Sequence, residues 1–93
     1  MEIYTIYDGI IERHTVIRKT KTGYRVANDE YETGMQVTGF DINDSTEFKH
    51  HPHDEVNYVT ESRAAAIKCA ESYVVKMIAK TLKVQETIES FSN

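Results

Sequence analysis

Along this 93-residue chain the apolar positions change period, from the short repeat of strands to the longer repeat of a helix. The run EIYTIY, residues 2–7, is rich in β-branched and aromatic residues and predicts a strand. Asp8-Gly9 follows and predicts a hairpin, because a type I′ turn needs positive φ at both central residues. The run IIERHTVIRKT, residues 10–20, reads as a longer second strand. Its doublets Ile10-Ile11 and Val16-Ile17 break strict alternation, so either a bulge or apolar cover on both faces is expected. KTKTG predicts a second hairpin loop with Gly23 in the left-handed position. YRVAN then predicts a third strand with Tyr24 and Val26 turned inward. Residues 1–28 therefore read as a β-meander.

The next stretch is less regular. DEYETG is turn-like, and MQVTGFDI is either one short strand or a small hairpin about Thr38-Gly39. NDSTEFKHHPHDE is loop by composition. VNYV predicts a short strand with Val56 and Tyr58 on one face and Val59 on the other.

From Thr60 to Phe91 there is neither Gly nor Pro. Thr60 reads as an N-cap, and Glu61 is placed to favour the helix dipole. Ile67, Val74, Thr81 and Ile88 recur every seventh residue, and Ala70, Met77, Val84 and Phe91 do so with an offset of three. This is an a/d stripe running nearly the whole predicted helix. Tyr73 and Ile78 widen it toward a core face. Roughly 30 helical residues span about 45 Å, whereas four strands about 4.8 Å apart make a sheet under about 20 Å wide. Either the helix breaks near Lys80–Lys83 or its distal half protrudes and exposes Val84, Ile88 and Phe91. A protruding apolar half points to a partner or a second copy of the chain; the plainer alternative is a frayed polar end. The expected fold is α+β: an antiparallel sheet of three to four strands packed against one long C-terminal helix. A single domain is expected, made of the meander 1–28, an acidic polar segment 29–59 with one or two short strands, and the helix 60–91.

Charge sharpens this picture. The net charge of −4 is unevenly spread. Residues 1–28 carry five basic and three acidic groups, residues 29–62 one basic and nine acidic, and residues 63–93 five basic and three acidic. A wholly basic nucleic-acid binder is disfavoured, and an acidic surface that meets a basic partner is favoured. Its candidate residues are Asp29, Glu30, Glu32, Asp41, Asp44 and Glu47. The candidates for self-association are Met77, Thr81, Val84, Ile88 and Phe91. A second reading rests on the basic hairpin, where Arg13, Arg18, Lys19, Lys21 and Arg25 surround Tyr24 and could hold single-stranded nucleic acid by phosphate contact and stacking. The plain alternative there is a solvated edge that charge protects from pairing.

The remaining chemistry is sparse. HHPHDE places His50, His51 and His53 before Asp54 and Glu55, and His14 could join them from the sheet. Neither a helical HExxH pairing nor Cys-His spacing supports a metal centre, so the segment reads as a polar loop and no metal ligand is assigned. As a pH switch it is blunted by the adjacent acids, which stabilise the protonated histidines. The lone Cys69 excludes an intramolecular disulfide and reads as a small core residue. With no catalytic fingerprint, the expectation is a protein that is not an enzyme and uses no cofactor. No run approaches the roughly 20 apolar residues of a membrane helix, and MEIYTIYDGIIERH lacks the form of a secretory signal. A reducing, cytoplasmic setting is expected.

Taken together, the MEIYTIYDG meander, the basic hairpin, the polar middle and NYVTESRAAAI leading into one long helix resemble small bacteriophage early proteins. The local pattern is an aromatic strand residue, a Thr and an Ala-rich first turn: Tyr58, Thr60 and Ala64 to Ala66. The resemblance implies a host protein as partner, one of a defence system included, inhibited or redirected in the host cytoplasm by stoichiometric binding. It also implies a homodimer. It carries over no functional residue.

Overall fold

Asp8 and Gly9 adopt the positive φ that the expected hairpin turn requires, 51° and 79°. The computed structural model describes residues 1–43 and 56–92. In it the turn joins β1 (Glu2–Tyr7) to β2 (Ile10–Lys19), with Tyr7 opposite Ile10 and Ile3 opposite His14. β2 is long enough to serve two neighbours. Its first half pairs with β1, and its second half pairs with β3 (Tyr24–Val26). Between those halves the register shifts: Val16 faces Val26 but Arg18 faces Arg25, which leaves Ile17 as the extra residue. A bulge bends the strand and raises its twist, so the expected irregularity at Val16-Ile17 is where the sheet turns a corner.

The rest of the sheet departs from expectation. Instead of three to four antiparallel strands there are six among the described residues, in the order β4-β3-β2-β1-β6-β5. β4 (Met35–Val37) extends the sheet beyond β3, while β6 (Asn57–Thr60) pairs antiparallel with β1. β5 (Phe40–Asp41) pairs parallel with β6, so the sheet is mixed. MQVTGFDI is therefore neither one strand nor a hairpin. Thr38 and Gly39 carry the chain from one edge of the sheet to the other. A link that short forces the sheet to curl until its edges meet. The Asn57 side-chain amide donates to the Thr38 carbonyl at 2.6 Å across the join. Gly39 is required there because a Cβ would lie 2.7 Å from the Asn57 carbonyl oxygen. Gly23 plays a similar part. It is not in the expected left-handed region; its missing Cβ makes room for the carbonyl oxygen of Val37.

Curling gives the sheet a core of its own. Ile3, Tyr24, Val26, Val37 and Val59 are buried on the inner face, with Val16 against them. Tyr24 and Val26 point inward as the alternation predicts. The outer face holds a second cluster of Ile6, Ile42 and Tyr58, flanked by Tyr4 and Val56, and here the helix docks through Ala66 and Cys69. The expected split of Val56 and Tyr58 from Val59 across the two faces is thus present.

The helix α1 spans Arg63–Ser92 without a break. Its cap is Ser62, not Thr60: the Ser62 Oγ accepts from the Ala65 N–H at 3.1 Å. Thr60 is fully buried at the end of β6, where its Oγ1 accepts from the Ser62 N–H at 2.9 Å. Glu61 consequently precedes the first turn and pairs with Lys19 at 3.0 Å. Small side chains at Ala65, Ala66 and Cys69 let the helix lie close to the sheet. Tyr73 ties the helix to the first hairpin; its hydroxyl donates to Asp8 Oδ1 at 2.8 Å. Its ring lies over Gly9, where a Cβ would collide with it. Among the described residues no helix is long and apolar enough to cross a membrane.

The cap assignment is directly testable. Ser62→Ala leaves the Ala65 N–H without its partner and is expected to cost about 1 kcal/mol of folding stability, read from urea denaturation. An unchanged midpoint would show that Ser62 does not cap the helix.

Candidate functional site

The heptad stripe of the helix is not its core face. Ala66, Cys69 and Tyr73 face the sheet, at spacings of three and four that define one side of a helix. Ile67 and Val74 lie on the neighbouring side and are 42% and 54% exposed. The stripe is therefore open even where the helix is docked. This corrects the expectation that one stripe would serve both core and surface. Small residues won the core position because close approach needs little side chain.

The distal half of the helix projects from the sheet and gives the molecule its elongated shape, 59 × 29 × 18 Å. Every residue from Ile78 to Ser92 is exposed. Among them are Ile78, Leu82, Val84, Ile88 and Phe91, the last 87% exposed. A shallow groove runs along Tyr73, Val74, Met77, Ile78, Thr81 and Leu82. Thr81, at a stripe position, donates its hydroxyl to the Met77 carbonyl at 2.8 Å. That bond satisfies the polar atom locally and leaves the methyl group for packing. Of the sequence-predicted self-association residues, Thr81, Val84, Ile88 and Phe91 are exposed and Met77 is half-buried; all five lie on this projecting arm.

The acidic candidates are divided. Asp29, Glu30 and Glu32 are exposed together on the loop between β3 and β4. That loop is held by Arg25, whose guanidinium donates to the Thr33 carbonyl at 2.7 Å and the Gly34 carbonyl at 3.1 Å. An Asx turn adds to it, the Glu30 N–H donating to Asn28 Oδ1 at 2.8 Å. Asp41 is exposed on the edge strand β5 and accepts from the Asn43 N–H at 2.9 Å. Asp44 and Glu47 lie outside the described residues, as do His50, His51 and His53.

The basic hairpin is largely engaged in structure. Besides Arg25, Lys19 is paired with Glu61, whose carboxylate raises the lysine pKa. Arg13 pairs with Glu2 at 3.5 Å. Arg18 and Lys21 have no ion pair among the described residues. Two cations are a small footprint for a polyanion, since affinity grows with the number of phosphates neutralised.

One feature escaped the sequence reading. The open end of the curled sheet holds a hollow of about 390 Å³, lined by Thr5, Tyr7, Glu12, His14, Val37 and Asn57 among others. The β1–β2 register creates it by placing Thr5 opposite Glu12 and Ile3 opposite His14 on the inner face. Alternation on both sides of Asp8-Gly9 was the available signal. His14 Nε2 lies 3.0 Å from Thr5 Oγ1 and 3.8 Å from Glu12 Oε2. Both contacts fall on the same ring nitrogen, so the carboxylate does not orient the ring from its far side as a nucleophile relay requires. Among the described residues no three His, Cys, Asp or Glu side chains gather as a metal site. Neither a protein-family model, nor a curated protein, nor a solved structure matches the chain.

Cys69 is buried beneath the helix, and burial pushes its thiol from an ordinary 9.0 up to about 11. Burial also raises the Tyr58 pKa. In both cases the unfolded chain ionises first as pH rises. Folding stability from the thiol is therefore full below about pH 9 and falls between about 9 and 11. Urea midpoints are expected to drop over this window in the wild type and to drop less in Cys69→Ala. Equal declines would show that the thiol is not the group responsible.

Proposed function

We propose that this chain is a non-enzymatic binding protein that works as a homodimer, with the projecting half of α1 as its self-association arm. The observation that carries the reading is the apolar stripe of the helix, on which Ile67, Val74, Ile78, Val84, Ile88 and Phe91 are all exposed. A helix of about 15 residues without tertiary cover is marginal in water. The segment from Ile78 onward has that length and includes the β-branched residues Ile78, Thr81, Val84, Thr87 and Ile88, which propagate a helix less well than Ala or Leu. A second copy supplies the missing cover. With the arm occupied in this way, the acidic loop carrying Asp29, Glu30 and Glu32 remains outward for a basic partner, together with Asp41. The likeness to small phage early proteins supports a host protein as that partner, inhibited or redirected by stoichiometric binding in the host cytoplasm.

Sedimentation velocity is expected to give twice the chain mass. Ile88→Lys is expected to give a monomer that keeps the wild-type near-ultraviolet spectrum of its sheet and loses helical signal at 222 nm. A wild-type monomer with full helicity at every concentration would refute the dimer. For the target, the triple change Asp29→Lys, Glu30→Lys and Glu32→Lys is expected to preserve the dimer and abolish retention of the host protein that the wild type retains. Equal retention would remove the acidic loop from the interface.

A further inference from the structure

We infer that the two helices pair antiparallel, with the twofold axis level with Ala79, so that Phe91 of each copy enters the hollow between Tyr4, Ile11 and Ile67 of the other. This rests on the self-association reading and fixes its geometry. Three independent features agree.

The first is the layer pattern. With the axis at Ala79, every a residue meets a d residue of the second copy: Ile67 with Phe91, Ala70 with Ile88, Val74 with Val84, and Met77 with Thr81. The small Ala70 falls opposite the larger Ile88. Ile78 lies one residue from the axis beside the seam and widens the apolar contact.

The second feature is charge. The first two turns carry Arg63 and Lys68 with no acid, whereas the last two carry Glu86 and Glu89 with no base. Each end thus has the charge that its own helix dipole disfavours. Antiparallel pairing sets the acidic end of one helix beside the basic end of the other and opposes the two dipoles. Parallel pairing would set like beside like at both ends.

The third is the hollow itself, about 330 Å³ beside the first turns of the helix. Tyr4, Ile11, Ala66 and Ile67 form its apolar lining, and Arg13 and Arg63 stand at it. Arg63 has no ion-pair partner among the described residues. The exposed Phe91 of a second copy, followed by an acidic helix end, matches both the lining and the charge.

The test is a distance. A spin label at Ser90→Cys lies on the exposed end of the arm, and the buried Cys69 stays unlabelled. In the antiparallel register residue 90 is level with residue 68 of the second copy, which puts the two labels about 33 Å apart along the axis. Parallel pairing would hold them within about 20 Å, the interaxial spacing plus the label arms. A distance near 33 Å in a sample that sediments as a dimer is the expected result. A dimer with the short distance, or with any other, overturns the orientation or the register while leaving self-association standing. A monomer in the same sample overturns both. Charge gives a second arm: Glu86→Lys with Glu89→Lys, which reverses the charge at the level of Arg63 and Lys68 of the second copy, is expected to weaken dimerisation about threefold. Mixing that variant with Arg63→Glu, Lys68→Glu is expected to restore it. An unchanged dissociation constant for the first variant overturns the charge pairing.

Discussion

Two residues, Thr38 and Gly39, must reach from one edge of the sheet, six-stranded among the described residues, to the other. Most of the architecture follows from that short link. The sheet cannot stay open, so it curls and buries Ile3, Val26, Val37 and Val59 against one another on the inside. An open sheet of this size would need a helix to cover a whole face. Here the inner face covers itself, and the outer face asks only for a lid over Ile6, Ile42 and Tyr58. A few small helical residues are enough. The rest of a 30-residue helix is then surplus to the fold.

That division explains which parts of the structure were legible in the sequence. Local signals suffice where one short-range rule decides: the Asp8-Gly9 turn, the inward Tyr24 and Val26, and a helix without Gly or Pro; of the two apolar doublets in β2, only Val16-Ile17 marks a bulge, while Ile10-Ile11 pairs in regular register. The errors arose where distant contacts decide. Thr38-Gly39 looks like a turn to any local rule, because only the far edge of the sheet reveals it as a bridge. Gly23 and Gly39 are required by backbone carbonyls from other strands, not by their own dihedrals. Thr60 and Ser62 are both good caps by residue type, and the deeper burial of the strand settled which one the helix uses.

The heptad pattern shows a subtler failure. It was real, but it reported a surface. A stripe of Ile and Val outweighs Ala65, Ala66 and Cys69 on any hydropathy scale, yet the small residues define the docked side because they admit the closest approach. For the candidate sites, residue type alone could not separate working cations from structural ones. Arg25 and Lys19 are tied to Thr33, Gly34 and Glu61 by contacts that no composition reveals. The inner hollow at His14 was in principle readable from strand register, given the turn at Asp8-Gly9.

The hydrogen bond from Tyr73 to Asp8 gives the molecule a mechanical property. It ties the helix to the first hairpin ahead of the exposed arm, so it acts as a fulcrum. From Tyr73 to Ser92 the arm is about 28 Å long. A tilt of about 10° at the pin would move the tip about 5 Å, roughly one helical turn. Alignment at the far end is therefore governed by a hairpin turn that touches nothing there. Because Asp8, Gly9 and Tyr73 lock together, a change in that turn is a change in where the arm points.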